Sequence, residues 1–399
     1  MSPETQIPIA SRAAGQRFAS RLALFYGAIF ALSGAHLPFF SVWLKAVGID
    51  AFWIGIINAV PAVTRFTTLP FVTGLAERRH ALRGAMILTA FASALGFVLL
   101  GMQHQLLPLL LIYTATCILW SPTVPLTDAY ALRGVVRYGL NYGPLRLWGS
   151  AAFVVGALAC GMLADIISAR ELIWVIVAVA ALAAAVSLLL QPSDDMRRKS
   201  VATGGDDGLL RDPAFLTIIV SAALIQGSHA AYYTFASITW QAHGLGGLTI
   251  AGLWALGVVA EILVFAVSPR FTLDPWVLVV IGGLSAVARW SITAQDPQVA
   301  VLVVAQLGHG LTFGLTQVGT MGQLVRHVPV HSMARGQGYY AAAGGLLTSV
   351  TYVSSDAIYT RYGEGVYYLM AAMAGTGALL MWLARHRLQL QPQSGASGG

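Results

Sequence analysis

The chain has 399 residues, of which 57% are hydrophobic and only 10% charged, with a mean hydropathy of +0.72 and a formal net charge of +7. A soluble domain carries about 25% charged residues, so this chain cannot clothe itself in a hydrated surface, and a water-soluble enzyme or binding module is excluded. The basic excess has a topological origin, given below; no nucleic-acid partner is expected.

A helix needs roughly 20 apolar residues to cross a bilayer. Twelve such spans follow one another, at 22–44, 52–74, 83–101, 106–128, 145–165, 172–190, 214–240, 249–268, 276–294, 299–324, 334–358 and 365–384. The first is about twice the length of a signal-peptide apolar core and is read as a span. With the N-terminus in the cytoplasm and the spans alternating, Arg12, Arg17, Arg21, Arg78, Arg79, Arg197, Arg198, Lys199, Arg385 and Arg387 fall on the cytoplasmic side. Lys45, Arg170 and Arg361 fall outside. That bias is the one the positive-inside rule describes.

In the first span, GAHLPFFS (34–41) puts His36, Phe39, Phe40 and Trp43 on one helical face. In the second, Asn58, Pro61 and Arg65 share a face. Arg65 either snorkels to the cytoplasmic surface or meets a solute. The fourth span closes on SPTVPLTDAYAL, where Asp128 either caps the cytoplasmic end or acts in the protein's function. Cys117 and Cys160 lie within spans, without a CxxC pair or nearby ligands, and are read as small buried residues. Residues 192–212 are polar and rich in Gly, Ser and Asp, a cytoplasmic linker between a bundle at 1–191 and a second at 213–399.

The seventh span repeats the opening motif. GSHAAYYT (227–234) matches GAHLPFFS with His229 at the place of His36, and Tyr232, Tyr233 and Trp240 share its face. The eighth holds Trp254 and Glu261, the ninth Arg289, and the tenth His309 among Gln306, Thr312, Phe313 and Thr316. Weak internal symmetry between six-helix halves is a signature of transporters whose site lies near the midplane. A charge at the bilayer centre costs at least about 2.5–3.5 kcal/mol and is a functional-site hypothesis by default.

Glu261 is the natural proton carrier, since burial raises a carboxylate towards neutrality and a nearby arginine lowers it again. Arg289 is its expected partner, with His309 as relay or solute ligand; a buried structural ion pair and an interhelical packing histidine are the plainer readings. The aromatic faces, Phe39 and Phe40 in one half and Tyr232, Tyr233 and Trp254 in the other, would hold a ring, while core packing accounts for either face alone.

LPFFSVWLKAVG (37–48), SPTVPLTDA (121–129), YGPLRLWGSAAFVVG (142–156), QGSHAAYYTFASITWQAHG (226–244), LWALGVVAEILVF (253–265), ARW (288–290) and QLGHGLTFG (306–314) carry a resemblance over essentially the whole chain. The chain resembles the 3-phenylpropionic acid transporter family of the major facilitator superfamily. The resemblance implies an all-α membrane protein, twelve helices in two pseudo-symmetric six-helix bundles, acting as a proton-driven importer in a bacterial inner membrane. It places Arg65, Asp128, Arg146, His229, Glu261, Arg289 and His309 on family positions, with Arg146 at a cytoplasmic gate and Asp128 as its ion-pair partner. The chain departs from the wider superfamily signature in GLAERRHALR, where Glu77 is the acidic residue, and from the family at His36 and Gln317.

The expectation is therefore proton-coupled symport of a small organic solute, such as 3-phenylpropionate, with Arg65 meeting the carboxylate. A nucleoside or sugar proton symporter is the neighbouring reading, and a non-transporting sensor on the same scaffold a more distant one. Drug–proton antiport is disfavoured, because the fifth span lacks an in-helix Gly-Pro. No HxxxxD motif, metal-ligand cluster or nucleophile–base pair is found, so no enzyme, metal or cofactor is expected beyond the coupling proton. The expected partners are the solute and the lipid bilayer, with the chain acting as a monomer.

Overall fold

The computed structural model describes residues 9–68, 72, 81–140, 142–191, 208–328 and 333–389. Among them the chain is helical, with no strand. The helices are α1 (Ile9–Ala46), α2 (Ala51–Thr67), α3 (Leu82–Gly101), α4 (Leu106–Trp120), α5 (Thr123–Tyr138), α6 (Tyr142–Ala164), α7 (Leu172–Ser187), α8 (Pro213–Gly227), α9 (Ala230–Ala242), α10 (Gly247–Val267), α11 (Pro275–Thr293) and α12 (Val299–His309). A π-helical turn, Gly310–Leu315, leads into α13 (Thr316–His327), followed by α14 (Met333–Tyr362) and α15 (Val366–Gln389).

Ten stretches are long and apolar enough to cross a membrane; the last, Gly336–Gln389, contains both α14 and α15, and Ala51–Thr64 is a shorter apolar helix. Among the described residues, each of the twelve spans read from the sequence falls on one of these helical stretches. Among the described residues, three passages are interrupted. Pro122 brings no amide to the ladder between α4 and α5, α8 gives way to α9 inside the histidine motif, and the π turn separates α12 from α13.

Helix starts follow local chemistry. Asp212 accepts from the Ala214 amide with Pro213 in the first turn of α8, and Ser168 with Glu171 closes a capping box ahead of α7. The distribution of polarity is inverted relative to a soluble protein. Leu88, Val304 and Leu107 are well exposed, while His229, Arg289, Gln306, Thr312 and Asp356 are buried. Lipid supplies the apolar exterior, so polar groups gather where helices can satisfy them.

Contacts divide the chain into two compact units. One takes residues 1–48, 67–199 and 245–251, the other 49–66, 200–244 and 252–399. In the first, Phe25, Tyr26, Trp43, Phe97, Tyr113 and Tyr130 are fully buried. The start of α10 belongs there because Asp165 accepts from the Gly247 amide at 2.5 Å and the Leu248 amide at 2.9 Å, an acid holding a helix N-terminus. In the second, α2 shares a core with α9 and α14 through Ala59, Ala230, Tyr352 and Tyr233. Residues 192–207 of the expected linker, including Arg197, Arg198 and Lys199, and the Arg78–Arg79 pair lie outside the described residues; Leu209–Arg211 forms a short 3-10 turn.

Candidate functional site

In the second unit the passage made by α8 and α9 breaks within GSHAAYYT. The Ser228 amide reaches Leu224 O in helical fashion, but the His229 amide bonds Gln226 O at 3.2 Å, one residue short of the α pattern. Ile225 O, relieved of that amide, accepts from Ser228 Oγ at 2.6 Å. His229 Nδ1 lies 3.2 Å from both Ile225 O and Gln226 O. Carbonyls only accept, so Nδ1 carries the ring proton. Nε2 is then an acceptor, and the Thr312 hydroxyl donates to it at 3.1 Å.

Thr312 leads to Arg289, which is 3% exposed. Its NH1 donates to Thr312 Oγ1 at 3.3 Å and to His309 Nδ1 at 3.0 Å, and its NH2 donates to Gln306 Oε1 at 3.0 Å. Gln306 Oε1 also accepts from Tyr232 OH at 2.9 Å. The guanidinium lies 4.8 Å from the Tyr232 ring centroid and 4.5 Å from that of Trp290. Burying a cation is costly unless hydrogen bonds compensate; here three acceptors and two ring faces do so, although Nε has no partner among the described residues.

Arginine has no acceptor, so the bond to Nδ1 fixes the His309 tautomer. The proton must sit on Nε2, and Nε2 faces Glu261 Oε2 at 3.7 Å. Glu261 and Arg289, expected as direct partners, are thus joined through His309. Glu261 keeps 23% of its side chain exposed against 9% for His309, so the carboxylate stands at the more open end of the chain.

Around this polar line the aromatic residues close in. Tyr232 packs on Trp254 at 4.7 Å and Tyr233 stacks on Trp254 at 6.0 Å. The His229 and His309 rings are 5.4 Å apart, and His309 stacks on Phe313 at 5.5 Å. Trp290 stacks on Tyr367 at 5.9 Å and donates to Ser228 Oγ at 2.9 Å; Trp254 donates to Ser237 Oγ at 2.9 Å. His229, Tyr232 and Tyr233 of the expected face, with Trp240 6.1 Å from Tyr232, therefore lie in one cluster with Trp254, Glu261, Arg289 and His309. Gln306 was legible as a polar neighbour, but its part as the shared acceptor of Arg289 and Tyr232 was not. Trp290 and Tyr367 enter through packing that no spacing rule reveals.

His309 owes its position to backbone geometry. The π turn begins at Gly310, whose missing Cβ would lie 2.5 Å from Ala260 O. Only glycine permits α10 to come so near, and Ala260 is the residue before Glu261. Gly310→Val is expected to push the two helices apart and lower transport by about 100-fold, the scale of a 1 Å misplacement. Gly252→Ala adds its Cβ into open space and serves as the neutral comparison in the same uptake assay.

The first unit treats its copy of the motif differently. α1 runs unbroken through GAHLPFFS. His36 is buried, bonded to Tyr113 OH at 3.2 Å, and stacked on Phe40 at 4.4 Å with Trp120 edge-on at 4.9 Å. Phe40 stacks in turn on Tyr113 at 4.7 Å, and Phe39 is buried. His36 is thus a packed histidine in an aromatic cage.

Asp128 and Arg146 also lie in this unit, and they meet through a tyrosine. Tyr26 OH donates to Asp128 Oδ1 at 2.5 Å, while the Arg146 guanidinium lies 5.8 Å from the Tyr26 ring and 4.0 Å from the Phe30 ring. Arg65 lies near the end of α2, and its side chain is outside the described residues, as is Glu77 of GLAERRHALR. Gln317 accepts from Tyr340 OH at 2.8 Å. Among the described residues, the ligand atoms of His243, Asp296 and Glu364 lie close enough together to hold a metal; His243 Nδ1 is 2.9 Å from Asp296 and 3.7 Å from Glu364, with His243 and Asp296 exposed and Glu364 half-buried.

The model of the "MFS_1 like family" matches residues 19–355. The probable 3-phenylpropionic acid transporter of Escherichia coli (strain K12) is 31% identical over 362 residues, covering 88% of this chain and 94% of that protein. The maltose permease of Geobacillus stearothermophilus is 27% identical over 374 residues, covering 91% and 94%. The crystal structure of the nucleoside transporter NupG superposes with a TM-score of 0.78 at 14% identity, covering 94% of this chain and all of that one. The resemblance read from the sequence motifs is confirmed, as is the expectation of a transporter of small organic solutes and not an enzyme. This largely apolar, helical chain, matched over residues 19–355 by one family model, belongs to the MFS_1 like family of membrane transporters.

Proposed function

We propose that the protein takes up a small organic carboxylate together with a proton, in a bacterial cytoplasmic membrane with both termini on the cytoplasmic side. The observation that carries this reading is the chain from half-buried Glu261 through buried His309 to buried Arg289, running into an aromatic cluster. A carboxylate solute would compete for the donors of Arg289 by forming a bidentate pair. Arg289 then leaves Nδ1 of His309, and that nitrogen becomes free to take a proton. The imidazolium so formed has Glu261 3.7 Å away to stabilise it. Solute and proton each favour binding of the other, as linkage requires. Tyr232, Tyr233 and Trp254 would cover an apolar or aromatic body, a solute shape shared with the substrate named for the relative that is 31% identical.

A neutral polyhydroxylated solute is the competing reading, since Gln306 and Thr312 offer uncharged partners in the same cluster and the maltose permease is a relative. Uptake by the purified protein in proteoliposomes, under an imposed inward proton gradient, separates the two. Phenylpropionate is expected to be accumulated, and to be displaced by other arylalkanoates but not by uridine or maltose. The opposite competition pattern would replace the carboxylate reading with the nucleoside or sugar one, and binding without accumulation would favour a sensor.

A further inference from the structure

A second carboxylate stands apart from the Glu261 cluster. Asp356, on α14, is completely buried, and neither of its carboxylate oxygens has a hydrogen-bond partner among the described residues; the adjacent Ser355 Oγ is unpartnered too. Its carboxyl lies against Gly55 of α2, so closely that a Cβ at position 55 would overlap both oxygens and Cγ. The charged side chain that acts on it is another acid, Asp50, just ahead of α2. On its own helix it is flanked by the phenols Tyr352 and Tyr359, with Tyr233 of α9 packed near Tyr352 and Glu364 of the following turn acting on Tyr359. None of these groups is a cation. An ionised carboxylate held there would have neither water, counter-charge nor donor, an arrangement that proteins avoid by neutralising the group.

We propose that Asp356 is a second proton-binding residue, neutral while α2 lies against it at Gly55 and ionised when the two helices part. Proton release from its carboxyl then drives the α2–α14 contact open, and proton uptake allows it to close. Gly55 is the complementary half of the device: the absent side chain leaves room for a neutral carboxyl and brings nothing that could hold an anion. The sign is set by burial. The closed contact is favoured at low pH and lost as pH rises through the titration of Asp356.

The contact can be followed without any solute, so failure here leaves the coupling role proposed for Glu261 untouched. Spin labels at Phe52→Cys and Tyr362→Cys, both exposed positions near the pair, report the α2–α14 distance in the full chain in lipid nanodiscs. The parent is expected to show a short-distance population at acidic pH. Its ratio to the open population should fall by up to about tenfold per pH unit beyond the midpoint, as one titrating group dictates. Asp356→Asn, neutral at every pH, should hold the short distance throughout. Gly55→Ala, which puts a methyl group where the carboxyl lies, should lose the short distance even in acid and serves if the asparagine variant fails to fold. A parent distance independent of pH, or a variant that titrates as the parent does, would overturn the proposal.

Discussion

Glu261→Gln is expected to abolish proton-driven accumulation while leaving solute exchange intact. Glutamine keeps the shape and one carbonyl acceptor of the side chain but can neither take nor release a proton. His309 Nε2 still finds an oxygen about where Glu261 Oε2 stands, 3.7 Å away, so the cluster should stay assembled. What disappears is the negative charge that stabilises imidazolium on His309, and with it the link between solute binding and protonation. A carboxylate anion and one proton together carry no net charge, so the pH gradient drives them, and each pH unit supplies about 1.4 kcal/mol, which sustains roughly tenfold accumulation; the variant should fall to equilibration. Counterflow, in which labelled solute outside exchanges for unlabelled solute inside, needs no net proton movement and should persist. Roughly tenfold accumulation per pH unit by Glu261→Gln would move the coupling role elsewhere. Loss of counterflow as well would mean that Glu261 holds the solute itself.

The membrane fold was legible because lipid imposes a one-dimensional rule on the sequence: about 20 apolar residues per passage, with charges at the ends. The residues that violate the rule, Glu261, Arg289 and His309, were legible for the same reason, since each carries its cost visibly in the sequence. How they connect was not. His309 stands between Glu261 and Arg289 because a π turn opens at Gly310 and brings α10 close, and the widening of a helix by one residue leaves the apolar period almost unchanged.

The two copies of the histidine motif make the same point from the other side. Their sequences align, yet one is an unbroken helix with its histidine in an aromatic cage, and the other breaks so that its histidine turns onto two carbonyls. The difference lies in partners far away in the chain, Tyr113 in one case and Thr312 in the other. Asp356 was as visible as Glu261, a lone acid within the span 334–358. Its position near the end of that span lets it pass for a helix-end charge, and only the packing against Gly55 removes it from water.

Arg289 is the residue whose replacement should separate stability from function most sharply. Arg289→Met keeps the length and apolar bulk of the side chain and removes a buried cation, which relieves a desolvation cost and offsets the about 1–3 kcal/mol of leaving His309 Nδ1 without its donor. Its thermal midpoint in detergent should therefore stay within a few degrees of the parent. Transport should not survive. His309 Nδ1 loses its donor, Gln306 keeps only Tyr232, and a carboxylate solute loses its counter-charge. Two charge-assisted hydrogen bonds at about 1.5–3 kcal/mol each amount to a fall of roughly 100-fold to 10,000-fold in uptake at low solute concentration.

Arg289→Lys is the stricter comparison. It restores the charge but has no planar fork, so it cannot reach His309 and Gln306, each 3.0 Å from a different guanidinium nitrogen, in the same geometry. If charge alone held the solute, lysine would rescue most of the uptake. If, as proposed, Arg289 acts by switching its fork between His309 and a carboxylate, lysine should recover binding without proton-driven accumulation, and the pH dependence of uptake should flatten.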